Sequence, residues 1–282
     1  MSGEHLVILF IVWALGAAII ALIGLLAYAS DWQLNWFRPV AWSHRLASRI
    51  GAIRATAIIV LAGAVFTFVA CLPLGLLAKQ LEPAVDRPVF QWIYPRAHHA
   101  AFTSANELLT KMGNHSQVRV VCVVAALALA VTWRRRFFVP VIVIATAFFL
   151  EKLGQSLLAR IVDRGHPPTT LGTFPSGGCA KVVSLYGVII FLVLASAPTL
   201  ARRWRILMWT MLALAAWVEA FSRVYLSKHW LTDAVAGLVY GTFLLLVMVA
   251  ATAAFTQYRP AGAGPRAPDR RITATHPAGT NN

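Results

Sequence analysis

Charge is scarce along this chain. Asp, Glu, Lys and Arg make up 12% of its 282 residues and apolar types 59%, whereas an ordinary soluble domain is about a quarter charged. The scarcity excludes a soluble fold and points to an integral membrane protein. Acidic residues are the rarest of the charged types, 10 against 25 Lys and Arg. In a soluble chain the resulting net charge of +15 would suggest nucleic acid. Here most basic residues flank apolar runs, where they set topology or meet lipid head groups, and a nucleic-acid role is excluded. Cysteine is too sparse for a disulfide framework: Cys71 and Cys122 lie in apolar runs, and Cys179 lies in a polar loop without an obvious base. Histidines and cysteines at zinc-like spacing are also lacking, since His98, His99 and His115 have no companion ligands. No metal or cofactor is therefore expected. No internal repeat is visible.

Long apolar runs are what the chain has in abundance. Seven are long enough, or nearly so, to cross a hydrocarbon core of ~30 Å: Leu6 to Ala29, Ile53 to Ala78, Val118 to Trp133, Phe137 to Leu158, Val182 to Leu200, Ile206 to Leu226 and Leu231 to Phe255. The expected fold is all-α, a polytopic membrane helix bundle. The first run ends in a sequence like a signal-peptidase site but has no Lys or Arg before it, and is read as an uncleaved anchor. Between Asp31 and Ile50, Trp32, Trp36, Phe37 and Trp42 mix with Arg38, His44, Arg45 and Arg49, as in a helix lying in the interface. The domain division is 1–52 for this anchor and interfacial segment, 53–256 for the membrane domain and 257–282 for a disordered basic tail.

Alternating the loops places Arg38, Arg45, Arg49, Arg54, Arg134 to Arg136, Arg202, Arg203, Arg205 and the tail arginines on the cytoplasmic side of a cell membrane. The long segment Lys79 to Gln117 then lies outside. It is too polar and too broken by Pro83, Pro88 and Pro95 to cross the membrane, and its histidines are remote candidates for a proton donor. The fourth span carries Glu151, Lys152 and Gln155. Glu151 and Gln155 read as a polar contact between helices, and Lys152 as a source of positive potential.

Three polar stretches converge on that outer side. In the last, Ser222 to Asp233, a helix from Leu231 puts His229 just before its first turn and Asp233 one turn on along the same face. A carboxylate on one ring nitrogen fixes the tautomer and frees the other nitrogen as nucleophile or base. Arg223 has Glu219 four residues earlier on its own face to orient its guanidinium, a fork that suits phosphate. A structural reading makes Arg223 a snorkelling residue and His229 and Asp233 caps. In the middle stretch, Pro175-Ser176-Gly177-Gly178 precedes the fifth span, and helix-start amides with a serine hydroxyl form an anion cradle. The earliest stretch, Ala159 to Pro168, brings Arg160, Arg164 and His166 to the same turn, near Lys181. Its glycines and prolines, with those of the middle stretch, forbid a regular helix there.

The spacing Ser-Arg, five residues, His, three residues, Asp resembles the third signature of the type-2 phosphatidic acid phosphatase superfamily. The resemblance covers roughly Ile53 to Phe255. It implies a six-helix core, with the first span as an addition, and a phosphohistidine intermediate in which His229 is the nucleophile, Asp233 orients it and Arg223 binds phosphate. The second signature keeps Pro175, Ser176 and Gly177 but has Gly178 where the family has the histidine that protonates the leaving group. The first keeps Pro167 but has His166 in place of Arg and Ala159 in place of Lys, with Arg160 and Arg164 as compensation.

Two functions follow. One is a membrane lipid phosphatase or phosphotransferase acting on a phosphorylated lipid, with Arg164, Ser176, Gly177 and Arg223 holding phosphoryl oxygens. Expelling an alkoxide, whose conjugate acid has a pKa of about 15, almost requires a general acid. Expelling a phosphate group, with a second pKa of ~6, does not. A polyprenyl diphosphate therefore tolerates Gly178 best, unless His166 delivers the proton. The alternative is a catalytically impaired member that binds lipid phosphate head groups or a membrane partner.

Overall fold

In hydrocarbon every backbone N–H and C=O must find its partner within the chain, and an apolar run does so by coiling into a helix. The computed structural model describes residues 3–29, 38–94, 100–168 and 172–256, and among them there is no strand. The helices are α1 (Gly3–Ala29), α2 (Arg38–Ile50), α3 (Ala52–Leu81), α4 (Arg87–Ile93), α5 (Ala100–Leu109), α6 (His115–Trp133), α7 (Phe138–Val162), α8 (Gly177–Lys181), α9 (Gly187–Ser196), α10 (Arg202–Tyr225) and α11 (Leu231–Thr256). Turns of π-helix at Glu82–Asp86 and Val182–Tyr186 join α3 to α4 and α8 to α9, so Ala52–Ile93 and Gly177–Ser196 each continue as one helix. Seven of the resulting helices are long and apolar enough to span a bilayer, as the hydropathy pattern predicts. The chain is a multi-pass membrane protein.

Two boundaries differ from the sequence expectation, each for a local reason. Pro83 and Pro88 stand at the starts of the π segment and of α4 inside this continuous helix, and the wider π turn accommodates the interrupted ladder, so the segment beyond Lys79 stays helical to Ile93. The fifth span begins at Gly177 rather than Val182, with Ser176 as its extended N-cap. Gly177 and Gly178 thus belong to a first helical turn and not to the irregular link. The tail from residue 257, the aromatics Trp32, Trp36 and Phe37, and the pair His98 and His99 lie outside the described residues.

Burial ranks the helices. In the most apolar stretch of each, 67% of residues are buried for Gly177–Ser196 and 56% for α11, against 6% for α1. The first two form the centre of the bundle, and α1 leans on α10 from its lipid side. Close approach at the centre depends on Gly237 and Gly241: a Cβ there would stand 2.4 Å from the Ser176 carbonyl oxygen and 2.6 Å from that of Ala180. The start of α8 is thereby pressed onto the first turns of α11. At the opposite end of α11, α2 packs Ala47 against Ala250, Ala251 and Ala254, and His44 Nε2 donates to the Ala253 carbonyl at 3.1 Å.

Candidate active site

Five chain segments meet where α10 ends and α11 begins. The turn from Arg223 to His229 is tight: the Arg223 carbonyl accepts from the Lys228 amide at 2.9 Å and the His229 amide at 3.3 Å, and Ser227 takes a left-handed φ of 54°. This fold-back sets His229 beside Arg223 across an open polar cavity of about 220 Å³. Gly113, Asn114 and His115 line it from the start of α6, Gln155 from α7, Gly172 and Thr173 from the following loop, and Gly177, Gly178 and Lys181 from α8.

His229 Nδ1 is buried and faces Asp233 Oδ2 at 3.7 Å, within ion-pair range but longer than a hydrogen bond. Asp233 is itself buried, and its Oδ2 accepts from the Trp230 amide at 3.3 Å. Burial holds the His229 imidazole below its ordinary pKa; Asp233 pulls the other way, while Arg223 and Lys181 add to the lowering. The ring is therefore neutral at physiological pH, with Nδ1 turned to the carboxylate and Nε2 left for chemistry.

Arg223 is held at two nitrogens. Its Nε donates to Glu219 Oε1 at 2.6 Å, the pairing expected from their spacing, and Nη2 donates to Asn114 Oδ1 at 2.8 Å and the Thr110 carbonyl at 3.4 Å. Among the described residues Nη1 makes no hydrogen bond, so the fork is fixed in place with one arm unspent. Lys181 supplies a second cation, 3.3 Å from Glu151 Oε1 and donating to the Gly177 carbonyl at 3.0 Å. Gln155 donates to Thr173 Oγ1 at 3.0 Å and to the Pro175 carbonyl at 3.3 Å, which ties the loop to α7.

The glycine at 178 has a steric reason. A Cβ there would lie 2.6 Å from Glu219 Oε1 and 2.7 Å from Arg223 Nε and Nη2; one at Gly113 would lie 2.2 Å from the same Glu219 oxygen. The Glu219–Arg223 pair fills the gap between two glycines, and an imidazole at 178 has no room while the pair stands.

Sequence-predicted site residues divide into three groups. Arg223, Gly177 and His229 share the cavity. Asp233, Ser176 and Arg164 lie buried behind it. The Ser176 amide donates to the Asp233 carbonyl at 3.0 Å, locking α8 to α11, and its Oγ has no hydrogen-bond partner. Arg164, expected to hold phosphate, is turned inside the protein, with both terminal nitrogens engaged. Its Nη2 donates to Asp86 Oδ2 at 2.6 Å and Nη1 donates to Thr232 Oγ1 at 2.7 Å, with Asp233 Oδ1 3.2 Å from Nη1. Arg160 and His166 form the third group, exposed and outside the cavity lining; His166 Nδ1 lies 2.7 Å from the Pro167 carbonyl oxygen. Lys152 is exposed as well, whereas Gln155, read as an interhelical contact, faces the cavity.

Sequence reasoning named Lys181 only as a neighbour of the turn and His115 only as a remote candidate for a proton donor, and it missed Asn114 and Asp86 as members of the assembly. Asp86 ends the π turn, accepts from the Thr232 amide at 3.0 Å and from Thr232 Oγ1 at 2.6 Å, and so caps α11 beside His229. Its signal was a carboxylate at the end of a long apolar helix. Buried polar atoms without a hydrogen-bond partner also gather here, on Glu151, Arg164, Ser176, Glu219, His229 and Asp233, with Trp133 the remaining case among the described residues. Such groups are uncommon in folded proteins and concentrate where a function explains them.

The family model described as the PAP2 superfamily matches residues 163–257, a stretch that holds Arg164, Ser176, Gly177, Arg223, His229 and Asp233. No curated protein matches the chain. Among solved structures, the chain resembles one described as the first transmembrane PAP2 type phosphatidylglycerolphosphate phosphatase from Bacillus subtilis. The match has 19% identity and a TM-score of 0.58 over 66% of this chain and 93% of that one.

Proposed function

We propose that the chain is a membrane member of the PAP2 superfamily, and a lipid phosphatase or phosphotransferase working through a phosphohistidine at His229. The observation that carries this is the buried pairing of His229 Nδ1 with Asp233 on the floor of a cavity flanked by Arg223 and Lys181. A phosphate-binding site needs the two cations; it has no use for a buried carboxylate behind a neutral imidazole.

The reaction runs in two displacements. His229 Nε2 attacks phosphorus, the N–P bond forms and the P–O bond to the lipid breaks. Water, or an acceptor hydroxyl in the transfer case, then attacks the same phosphorus and the N–P bond breaks. Arg223 Nη1, the Lys181 ammonium and the Gly177 amide gather the charge on the equatorial oxygens. Asp233 holds the ring and stabilises it as positive charge grows there. Arg164 acts through Asp233 and not on the substrate, and the mechanism gives Arg160 and His166 no contact with phosphate.

The competing reading, a head-group binder without turnover, draws on one feature: Gly178 offers no acid, and Glu219 already takes part of the Arg223 charge. The far end of the bundle supports one orientation in the membrane. α11 is 26 residues long, roughly 39 Å at 1.5 Å per residue, and Arg136 donates to the Thr256 carbonyl at its other end. With the basic residues of α2 and of 134–136 assigned to the cytoplasm, the site opens to the outer face and the tail lies inside.

The test is purified protein given a polyprenyl diphosphate, phosphatidic acid and a phosphate donor plus acceptor lipid, with inorganic phosphate and lipid products measured. Phosphate or transferred phosphate is expected from at least the diphosphate. Silence on all three would leave only the binding reading.

A further inference from the structure

With no imidazole at 178, the leaving group needs a proton from elsewhere, and one histidine besides His229 lines the cavity among the described residues. His115 stands at the first position of α6, directly after Asn114. Asn114 accepts from Arg223 Nη2 at 2.8 Å, so the backbone carrying His115 is tied to the arginine that lines the cavity. Gly113 packs against the Glu219 carboxyl and Gly178, which seats the start of α6 on the start of α8. Phe148 of α7 sets the ring, with centroids 5.2 Å apart. The charged groups that face His115 are Lys181 from α8, Lys152 from α7 and Arg119 from its own helix.

We propose that His115 is the general acid of this site, relocated from the fifth span to the start of α6, and that it opens phosphate monoesters of lipid alcohols to the enzyme alongside diphosphates. The inference rests on His229 being the nucleophile. As His229 Nε2 bonds to phosphorus, the proton on His115 passes to the departing ester oxygen, and the lipid alcohol leaves neutral. In the second displacement His115 takes a proton from the attacking water, phosphate leaves and both rings are restored. The net change is ester plus water to alcohol plus phosphate.

The experiment compares wild type, His115→Ala and His115→Gln as full-length protein on a long-chain alkyl phosphate, a lipid diphosphate and a nitrophenyl phosphate, whose leaving group departs as a stable anion. Thermal melting in detergent establishes that each variant is folded. Both variants are expected to lose about 10²- to 10⁴-fold in kcat on the alkyl phosphate and less than about tenfold on the other two. An equal loss on all three substrates, or no selective loss on the alkyl phosphate, overturns the inference. A wild type inactive on every substrate overturns the proposed function instead, and this inference with it.

Discussion

His229→Ala is expected to reduce phosphate release by on the order of 10⁴-fold or more, since removing a covalent nucleophile leaves only the catalysis that binding and charge stabilisation supply. The variant should still bind lipid phosphate, because Arg223, Lys181 and the Gly177 amide stay in place and a truncated side chain at the floor of an open cavity disturbs little packing. Turnover measured with product-resolved mass spectrometry, beside an equilibrium binding assay, separates the two quantities. Equal phosphate release by wild type and variant would remove the phosphohistidine from the mechanism.

The same ring predicts a pH profile. Burial holds the His229 pKa below the ordinary imidazole value, with Asp233 opposing and the neighbouring cations assisting. Attack requires the neutral ring, which is populated above that pKa. A lowered pKa therefore moves the acidic limb of kcat/KM below about 6.5, the unperturbed value for histidine. His229 should be competent at pH values where a solvated imidazole is already charged. An acidic limb at or above the unperturbed value, in wild type acting on a diphosphate, would contradict the buried position of the ring.

Arg164→Ala should have the largest effect on stability. The guanidinium is wholly buried and lies against two buried carboxylates, Asp86 and Asp233, so deleting it strands two negative charges inside the bundle. Breaking a buried ion pair from one side costs about 3–5 kcal/mol. The penalty is expected to be read as a large fall in the thermal midpoint in detergent. Arg164→Met with Asp86→Asn should recover part of the loss, because it removes one of the stranded charges. Arg160→Ala, four residues earlier and exposed, should change stability by less than about 0.5 kcal/mol. Similar midpoints for the two alanine variants would show that the Asp86–Arg164–Asp233 cluster contributes nothing to the fold.

These two arginines show where linear reasoning ends. Both follow the fourth span, and by spacing alone both belong at the phosphate. α7 stops at Val162 and Asp163 takes a left-handed φ of 42°, which swings Arg164 inward while Arg160 stays on the exposed side of the last helical turn. Lys79 donates to the carbonyls of Val162 and Asp163 at 3.3 and 3.1 Å, helping to end the helix there. A change of one backbone angle thus turned a presumed substrate ligand into the support of Asp233.

His115 and Asp86 illustrate the opposite case. Neither lies within 100 positions of His229 along the chain, and the local signs they carry, a histidine in an outer segment and a carboxylate ending an apolar helix, do not place them at the site. What joins His115 to the site is the close approach of Gly113 and Gly178 around Glu219, and what joins Asp86 is its hydrogen bonding to Thr232 and Arg164.

Hydropathy alone settled the seven spans and the membrane setting, because apolar length and helical coiling are properties of a segment by itself. Glu219 with Arg223 was legible because helix geometry brings residues four apart together whatever the rest of the chain does, and His229 with Asp233 because the histidine stands just before the first turn of α11. Tertiary structure decided which cations face the cavity, why position 178 is glycine and which second histidine shares the site. Those depend on how closely remote helices approach one another, and that distance is set by side-chain volumes on both partners at once.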